Sequence, residues 1–386
     1  MIHLAQRMAC VHSDIRGPLY REALRMQQQG IPVMKLNTGN PAAFGFPLPE
    51  SIRTALEGRA EEGVPYCDFQ GMPAARQAIV RYCLRKGIED IEPEDVFIGN
   101  GVSEVVNFAL MPLLDPGDEV LVPTPNYTLW SNTVRLCGAT PVYYRCDEAA
   151  GWNPDVNDLC SKITARTRAM VIINPNNPTG ALMSKELLEE IVAIARGVGA
   201  YLLCDEVYRH LTQEDVWSES VADLYEKGIS VGSMSKVFSL AGIRMGWVAT
   251  RDEDALRAFL SHRDYDLISC GIFDDAIASL ALRHTDAMLR RNQGIVRENL
   301  AILDAWVAAH PHFFYTRPQA GTTALVYYDF DIPSYEFCKR LYHETGAFVT
   351  PGDCFEQPHS MRIGYACDRK TLTDGLAALA AFAENL

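Results

Sequence analysis

The sequence predicts an α/β protein: a large domain on a mainly parallel sheet sandwiched by helices, plus a smaller α+β domain. Three observations carry this. Between about residues 95 and 250, short β-branched apolar runs alternate with amphipathic stretches of helical length. Those runs are apolar at nearly every position, the pattern of strands covered on both faces. From about residue 285 the pattern changes to long amphipathic helices around one β-rich stretch, Thr322 to Tyr328, with an Ala-rich helix from Leu372 to Leu386 at the end.

Each element has its own signal. Val96-Phe97-Ile98 is a strand that breaks at Gly99-Asn100-Gly101 and passes into a helix over Ser103 to Leu110. Glu119 to Val122 is a second strand, closed by Pro123-Thr124-Pro125. Ala169 to Ile173 is a third, stopped by Asn174-Pro175-Asn176-Asn177-Pro178-Thr179-Gly180, all turn formers. Ser184 then caps a helix whose apolar face is Leu187, Leu188, Ile191, Val192 and Ile194, and which stops near Gly197 and Gly199. Tyr201 to Cys204 and Ile229 to Val231 are further strands. The expected boundaries are 46–280 for the large domain, and 1–45 together with 281–386 for the small one, the N-terminal segment packing with the C-terminal part.

Composition narrows the function classes. A chain of 386 residues has the length of two or three domains, and its 48% hydrophobic and 22% charged content is that of an ordinary globular protein. The net charge of −14, with no run of five basic residues, argues against general nucleic-acid binding. The eleven cysteines are scattered without a CxxC pair, so they read as small buried hydrophobes in a reducing cytoplasm rather than as a disulfide or metal framework. The nine histidines show no ligand spacing, and no metal site is assigned. Neither a signal-peptide core nor a membrane span is present in the pattern, so a cytoplasmic protein without membrane partners is expected.

Ligands of open α/β sheets bind outside the carboxyl ends of the strands, and the conspicuous polar residues fall there. Gly101-Val102-Ser103 opens a helix, a natural phosphate seat. Tyr127, Asn177, Asp205 with Tyr208, and Ser233-Met234-Ser235-Lys236 follow four other strands, with Arg244 eight residues after the lysine. An anion seat, a flat ring, a carboxylate, hydroxyl donors and a lysine together match the needs of pyridoxal phosphate. The lysine amine holds its aldehyde, and the carboxylate keeps its ring nitrogen protonated.

The motifs NPNNPTG (174–180), DEVY (205–208), SMSKVFSLAGIRMGW (233–247) and MRIG (361–364), in this order, resemble the class I/II aminotransferases of the fold-type I pyridoxal-phosphate enzymes. The likeness runs from SDIRGPLY and LNTGNPAAFGF to the final helix, and these segments, with IGNGVSE, look closest to the bacterial alanine aminotransferase branch. It implies an aspartate-aminotransferase-like fold and an amino-group transfer between an alanine-like or other small neutral L-amino acid and a 2-oxo acid. Lys236 would carry the cofactor as a Schiff base and shuttle the proton. Asp205 would face the ring nitrogen, Tyr208 and Asn177 would donate to the ring oxygen, and Tyr127 would stack on the ring. Gly101, Val102, Ser103, Ser233, Ser235 and Arg244 would hold the phosphate. Tyr66 would reach the phosphate of the neighbouring subunit, which implies a homodimer with shared sites. Arg362 would bind the substrate α-carboxylate in a bidentate fork, with Gly39 closing over it.

Taken singly, each residue has a plainer reading. Lys236 alone is a surface lysine, Tyr66 and Tyr127 are packing residues, NPNNPTG is only a turn, and Arg362 is a salt-bridge former. Their convergence on one edge favours the site. Ser13 stands where the alanine branch often has an aromatic residue, and 262–275 departs from that branch. Arg263 reads there as a second carboxylate clamp or, more simply, as a surface or structural arginine. A pyridoxal-phosphate β-lyase of the cysteine-conjugate type is the enzymatic alternative. A non-catalytic, aminotransferase-like regulator is the alternative of another class.

Overall fold

The computed structural model describes residues 5–11, 15, 18–39, 49–57, 59–85, 90–216 and 218–386. Its main sheet has eight strands, side by side in the order Val96–Gly99, Gly246–Ala249, Gly228–Ser233, Tyr201–Asp205, Thr167–Ile173, Glu119–Thr124, Thr140–Asp147 and Asn153–Pro154. The five from Gly228–Ser233 to Thr140–Asp147 are parallel neighbours. Gly246–Ala249 is antiparallel to both of its neighbours, so Val96–Gly99 runs with the parallel set. Six strands therefore deliver their carboxyl ends to one edge: those ending at Gly99, Thr124, Asp147, Ile173, Asp205 and Ser233.

The continuous apolar runs form this sheet because both faces are covered. Val120, Val122, Val171, Ile173, Leu203 and Val231 enter one core, where the helices Val102–Leu110 and Glu253–Arg263 contribute Val105, Phe108 and Phe259. The alternate residues Leu121, Met170, Ile172, Leu202 and Cys204 enter the opposite core, against Leu188, Ile191 and Val192 of Lys185–Val198. That helix starts where its cap places it, the Ser184 hydroxyl accepting the Leu187 N–H at 3.2 Å, and ends at Gly199 with φ +71°. It runs through Gly197 because a single glycine does not outweigh an amphipathic face this well buried. The strand Thr140–Asp147 carried no apolar-run signal. Beside the short outer strand Asn153–Pro154, it has a mixed, partly exposed pattern.

The C-terminal part holds an antiparallel sheet in the order Phe313–Phe314, Thr323–Tyr328, Ser360–Gly364 and Thr350–Pro351, in which Arg362 stands opposite Leu325. Met34–Lys35 pairs in parallel with Ala347–Phe348. Leu19, Ala23 and Leu36 pack in one core with Leu341, Phe348, Ile363 and Leu376. The helix Thr285–Ala309 belongs to two cores: Met288 and Leu289 join the one around Ile98 and Trp247, while Val296, Leu300 and Leu303 join the C-terminal one. Among the described residues, no helix is long and apolar enough to cross a membrane.

Candidate active site

The strand ends bring the polar residues together. After Val96–Gly99 the chain turns at Gly101, with φ +76°, and enters the helix Val102–Leu110, whose first N–H groups have no partner within the helix. A Cβ at Gly101 would lie 2.2 Å from Arg244 Nη2, so only glycine lets the guanidinium lie against this turn. Arg244, itself at φ +48°, donates to the carbonyls of Ala241 at 3.1 Å and Asn100 at 3.3 Å. Gly246 matters for the same reason, since a Cβ there would stand 2.9 Å from the Val102 nitrogen. The Ser233 hydroxyl accepts the Ser235 N–H at 2.9 Å and donates to the Met245 carbonyl at 3.3 Å. These residues gather N–H, O–H and guanidinium groups around a helix start, an arrangement that favours an anion.

Asp205 ends its strand inside the protein. Trp130 Nε1 donates to its Oδ2 at 3.0 Å, and the Val207 N–H donates to Oδ1 at 3.3 Å. Burial nevertheless pushes the carboxyl up to about 6, the Trp130 bond pulling back. A cation facing it would restore the charged form. The Lys236 amine moves the other way. Burial, and then the Arg362 and Arg244 charges, lower it to about 8 against the pull of Tyr127 and Asp205. Such an amine loses its proton near neutrality and becomes a nucleophile. Tyr208 is buried beside them, its phenol raised by burial and drawn partly back by the Thr322 hydroxyl and Arg362.

Among the described residues, Arg362 is a buried cation without a carboxylate partner. Nη1 donates to Asn177 Oδ1 at 3.1 Å, Nη2 donates to the Asn37 carbonyl at 2.8 Å, and Nε has no partner. The guanidinium lies 5.0 Å above the Phe355 ring, and burial lowers its pKa, with the phenols of Tyr208 and Tyr127 opposing. An uncompensated buried charge is costly, so a site that keeps one is built to receive an anion. Asn177 is presented by its own loop. Asn176 Oδ1 accepts the Thr179 hydroxyl at 2.9 Å, and Asn174 Oδ1 accepts the Met183 N–H at 3.0 Å. The motif is a turn, and it also brings Asn177 to Arg362. Gly39 closes over the same corner: its Cβ would fall 2.2 Å from Thr322 Oγ1, and a Cβ at Gly364 would fall 2.7 Å from the Gly39 nitrogen.

A family model for aminotransferase class I and II matches residues 31–379. The chain belongs to that family. Glutamate-pyruvate aminotransferase AlaA of Haemophilus influenzae is 46% identical over 237 residues, which is 61% of this chain and 59% of that protein. An Escherichia coli aminotransferase structure superposes with a TM-score of 0.92 at 32% identity, covering 100% of this chain and 98% of that one. Alanine aminotransferase from Pyrococcus furiosus gives 0.92 at 28% identity, with both chains covered in full (100%). The chain spans 59%, 62% and 56% of the lengths of the Haemophilus influenzae and Escherichia coli AlaA proteins and of the Mycobacterium bovis alanine aminotransferase.

Pyridoxal phosphate, the cofactor of class I and II aminotransferases, fits the residues present. The turn at Gly101 brings Arg244 to the start of the helix Val102–Leu110, a donor set suited to a phosphate, Asp205 is a buried carboxylate raised toward its neutral form, and Lys236 is an amine lowered toward neutrality. Lys236, Asp205, Tyr208, Tyr127, Asn177, Ser233, Ser235, Arg244, Gly101, Val102, Ser103, Arg362 and Gly39 all lie on this edge or across the cleft from it. Tyr66 does not join them within this chain; it stands 84% exposed. Arg263 is fully buried and bonds the Ile98 carbonyl at 2.8 Å, so it is a structural arginine and not a second clamp. Ser13, most of the SDIRG stretch and residues 40–46 lie outside the described residues. Two participants were missed in the sequence. Trp130 reads as a core aromatic until its N–H is seen on Asp205, three residues past Tyr127 being the one available clue. Asn37 acts through its carbonyl, which no side-chain pattern reveals.

Proposed function

We propose that this chain is a pyridoxal-phosphate-dependent aminotransferase that moves the α-amino group between an alanine-like or other small neutral L-amino acid and a 2-oxo acid in a ping-pong cycle. The observation that carries it is the buried Arg362 guanidinium, unpaired with any carboxylate among the described residues and close enough for its charge to help lower the Lys236 amine. When bound, the cofactor supplies an electron sink that acidifies the substrate Cα–H. This chain's residues do the rest. Arg362 would bind the α-carboxylate through its remaining N–H groups and so orient the substrate Cα–H toward Lys236. Lys236, its amine lowered toward neutrality, would take the Cα proton and return it on the other side of the transfer. Asp205, ionised opposite a cation, keeps the ring nitrogen protonated, and Tyr208 and Asn177 hold the ring oxygen. Val102, Ser103, Ser233, Ser235 and Arg244 hold the phosphate.

The same reading makes the molecule a homodimer with shared sites and a large domain of 46–280 facing a small one. Exposed Val64, Tyr66 and Phe69, with exposed Tyr265, Ile268 and Phe273, support an interface where Tyr66 reaches its partner's phosphate. The eleven free thiols fit a reducing, cytoplasmic setting. The test is a half-reaction. L-alanine, L-aspartate, L-methionine, L-cystathionine and aromatic amino acids are each added without a 2-oxo acid while the absorption spectrum is followed. Loss of the lysine-bound cofactor's absorption with stoichiometric release of the matching 2-oxo acid is expected. Pyruvate and ammonia with an unchanged spectrum would make the protein a β-lyase instead.

A further inference from the structure

Beside the turn at Gly101 lies an arginine–glutamate pair with no part in the chemistry above. Arg263, in the last turn of the helix Glu253–Arg263, is fully buried, its guanidinium 4.3 Å above the Phe108 ring. Its Nη2 donates to the Ile98 carbonyl at 2.8 Å, and its Nη1 stands 3.7 Å from Glu104 Oε1. The other Glu104 oxygen, Oε2, accepts the Asn100 N–H at 3.0 Å and fills the space above Gly99, where a Cβ would meet it at 2.0 Å. The Asn100 carbonyl in turn accepts Arg244. The turn Ile98-Gly99-Asn100-Gly101 is thus gripped at the Ile98 carbonyl and at the Asn100 N–H as it leaves its strand. We propose that Glu104 and Arg263 are positioning residues of the phosphate site: they hold this turn so that the Val102 and Ser103 N–H groups and Arg244 converge on one anion.

Stability alone does not account for such a pair, because desolvating buried ionisable groups costs about what their attraction returns. Geometry does account for it. A glycine-flanked turn has wide backbone freedom, and donors that must be aligned at the moment of binding lose affinity to that ordering. Electrostatics agree. The Glu104 carboxyl is pushed up to about 8, first by burial and then by the Asp266 carboxyl bonded to it, with Arg263 opposing. A proton held there keeps the acidic pair from placing two negative charges at the helix start, where the phosphate needs the field.

The inference rests on pyridoxal phosphate being the cofactor, and binding rather than turnover tests it. The full-length chain carrying Glu104→Ala with Arg263→Met leaves no unpaired buried charge. Its dissociation constant for pyridoxal phosphate should rise about tenfold, the loss of two held hydrogen bonds. Pyridoxal, which has no phosphate, should bind the variant and the parent alike. Should that variant not fold, Glu104→Gln with Arg263→Met keeps an acceptor for the Asn100 N–H and loses only the Ile98 grip, so about a threefold, equally phosphate-specific loss is expected. An unchanged ratio of pyridoxal phosphate to pyridoxal affinity in whichever variant folds overturns the proposal. A parent chain that binds neither compound overturns the cofactor reading itself.

Discussion

Replacing Trp130 with phenylalanine isolates one hydrogen bond at the centre of the site. The indole is fully buried and donates to Asp205 Oδ2 at 3.0 Å, and phenylalanine keeps an aromatic ring in the same core position. A hydrogen bond to a charged acceptor contributes about 1.5–3 kcal/mol, and each pKa unit is about 1.4 kcal/mol. Without the donor, the Asp205 carboxyl rises from about 6 to roughly 7–8 in the cofactor-free protein, because burial already favours its neutral form. The cationic ring nitrogen opposite offsets part of this, so a kcat loss of about tenfold at pH 7 is expected. The sign is definite: a carboxyl raised further is ionised over a smaller range, so the acidic limb of kcat against pH moves to higher pH. Activity recovers as the pH is raised above it. KM for the amino acid should stay near the parent value, since Arg362 is untouched. Steady-state kinetics from pH 5 to 9, at saturating cofactor, measure both. A kcat within twofold of the parent and an unmoved acidic limb would refute the idea that the indole supports the carboxylate.

The other expectations follow the same logic. Arg362→Lys keeps the charge and removes the fork, so KM for the amino acid should rise about 100-fold, roughly 2–3 kcal/mol, with cofactor affinity unchanged. Equal losses in both would show that Arg362 does not bind the substrate carboxylate. Lys236→Met should abolish turnover yet stabilise the cofactor-free protein at pH 7. The amine falls from 10.5 when unfolded to about 8 when folded, so between those values the unfolded chain binds more protons and the stability from this group rises with pH. After discounting the amine's partial exposure, the gain at pH 7 is about 2 kcal/mol and fades by pH 10.5, which denaturation at the two pH values checks. Mixing inactive Tyr66→Ala and Lys236→Ala chains, unfolding and refolding them together, should restore about a quarter of the parent sites in heterodimers. No recovery would mean that the sites are not shared.

Much of this site was open to reading because its residues sit in short runs of sequence. The segment from Ser233 to Trp247, the loop at Asn177 and the Asp205–Tyr208 pair each follow an apolar strand, and strand periodicity alone sends them to one edge. Arg362 was legible for a different reason: alone it reads as a salt-bridge former, and only the resemblance carried by MRIG before the last helix marks it as a carboxylate ligand. The continuous apolar runs determined a sheet covered on both faces, and local capping at Ser184 determined where a helix begins.

Only the tertiary structure decided the rest, because those properties depend on residues far apart in the chain. Whether Arg263 clamps a substrate or props a turn is settled by Ile98 and Glu104, more than 150 positions earlier in the chain. That Trp130 serves Asp205 depends on which helix covers which strand end, and no periodicity encodes that. The lowered Lys236 amine, the raised Asp205 carboxyl and the orphaned Arg362 N–H are properties of burial and of charges brought close by folding. A sequence specifies which groups are available; the dielectric and the neighbours that tune them exist only once the chain has closed around them.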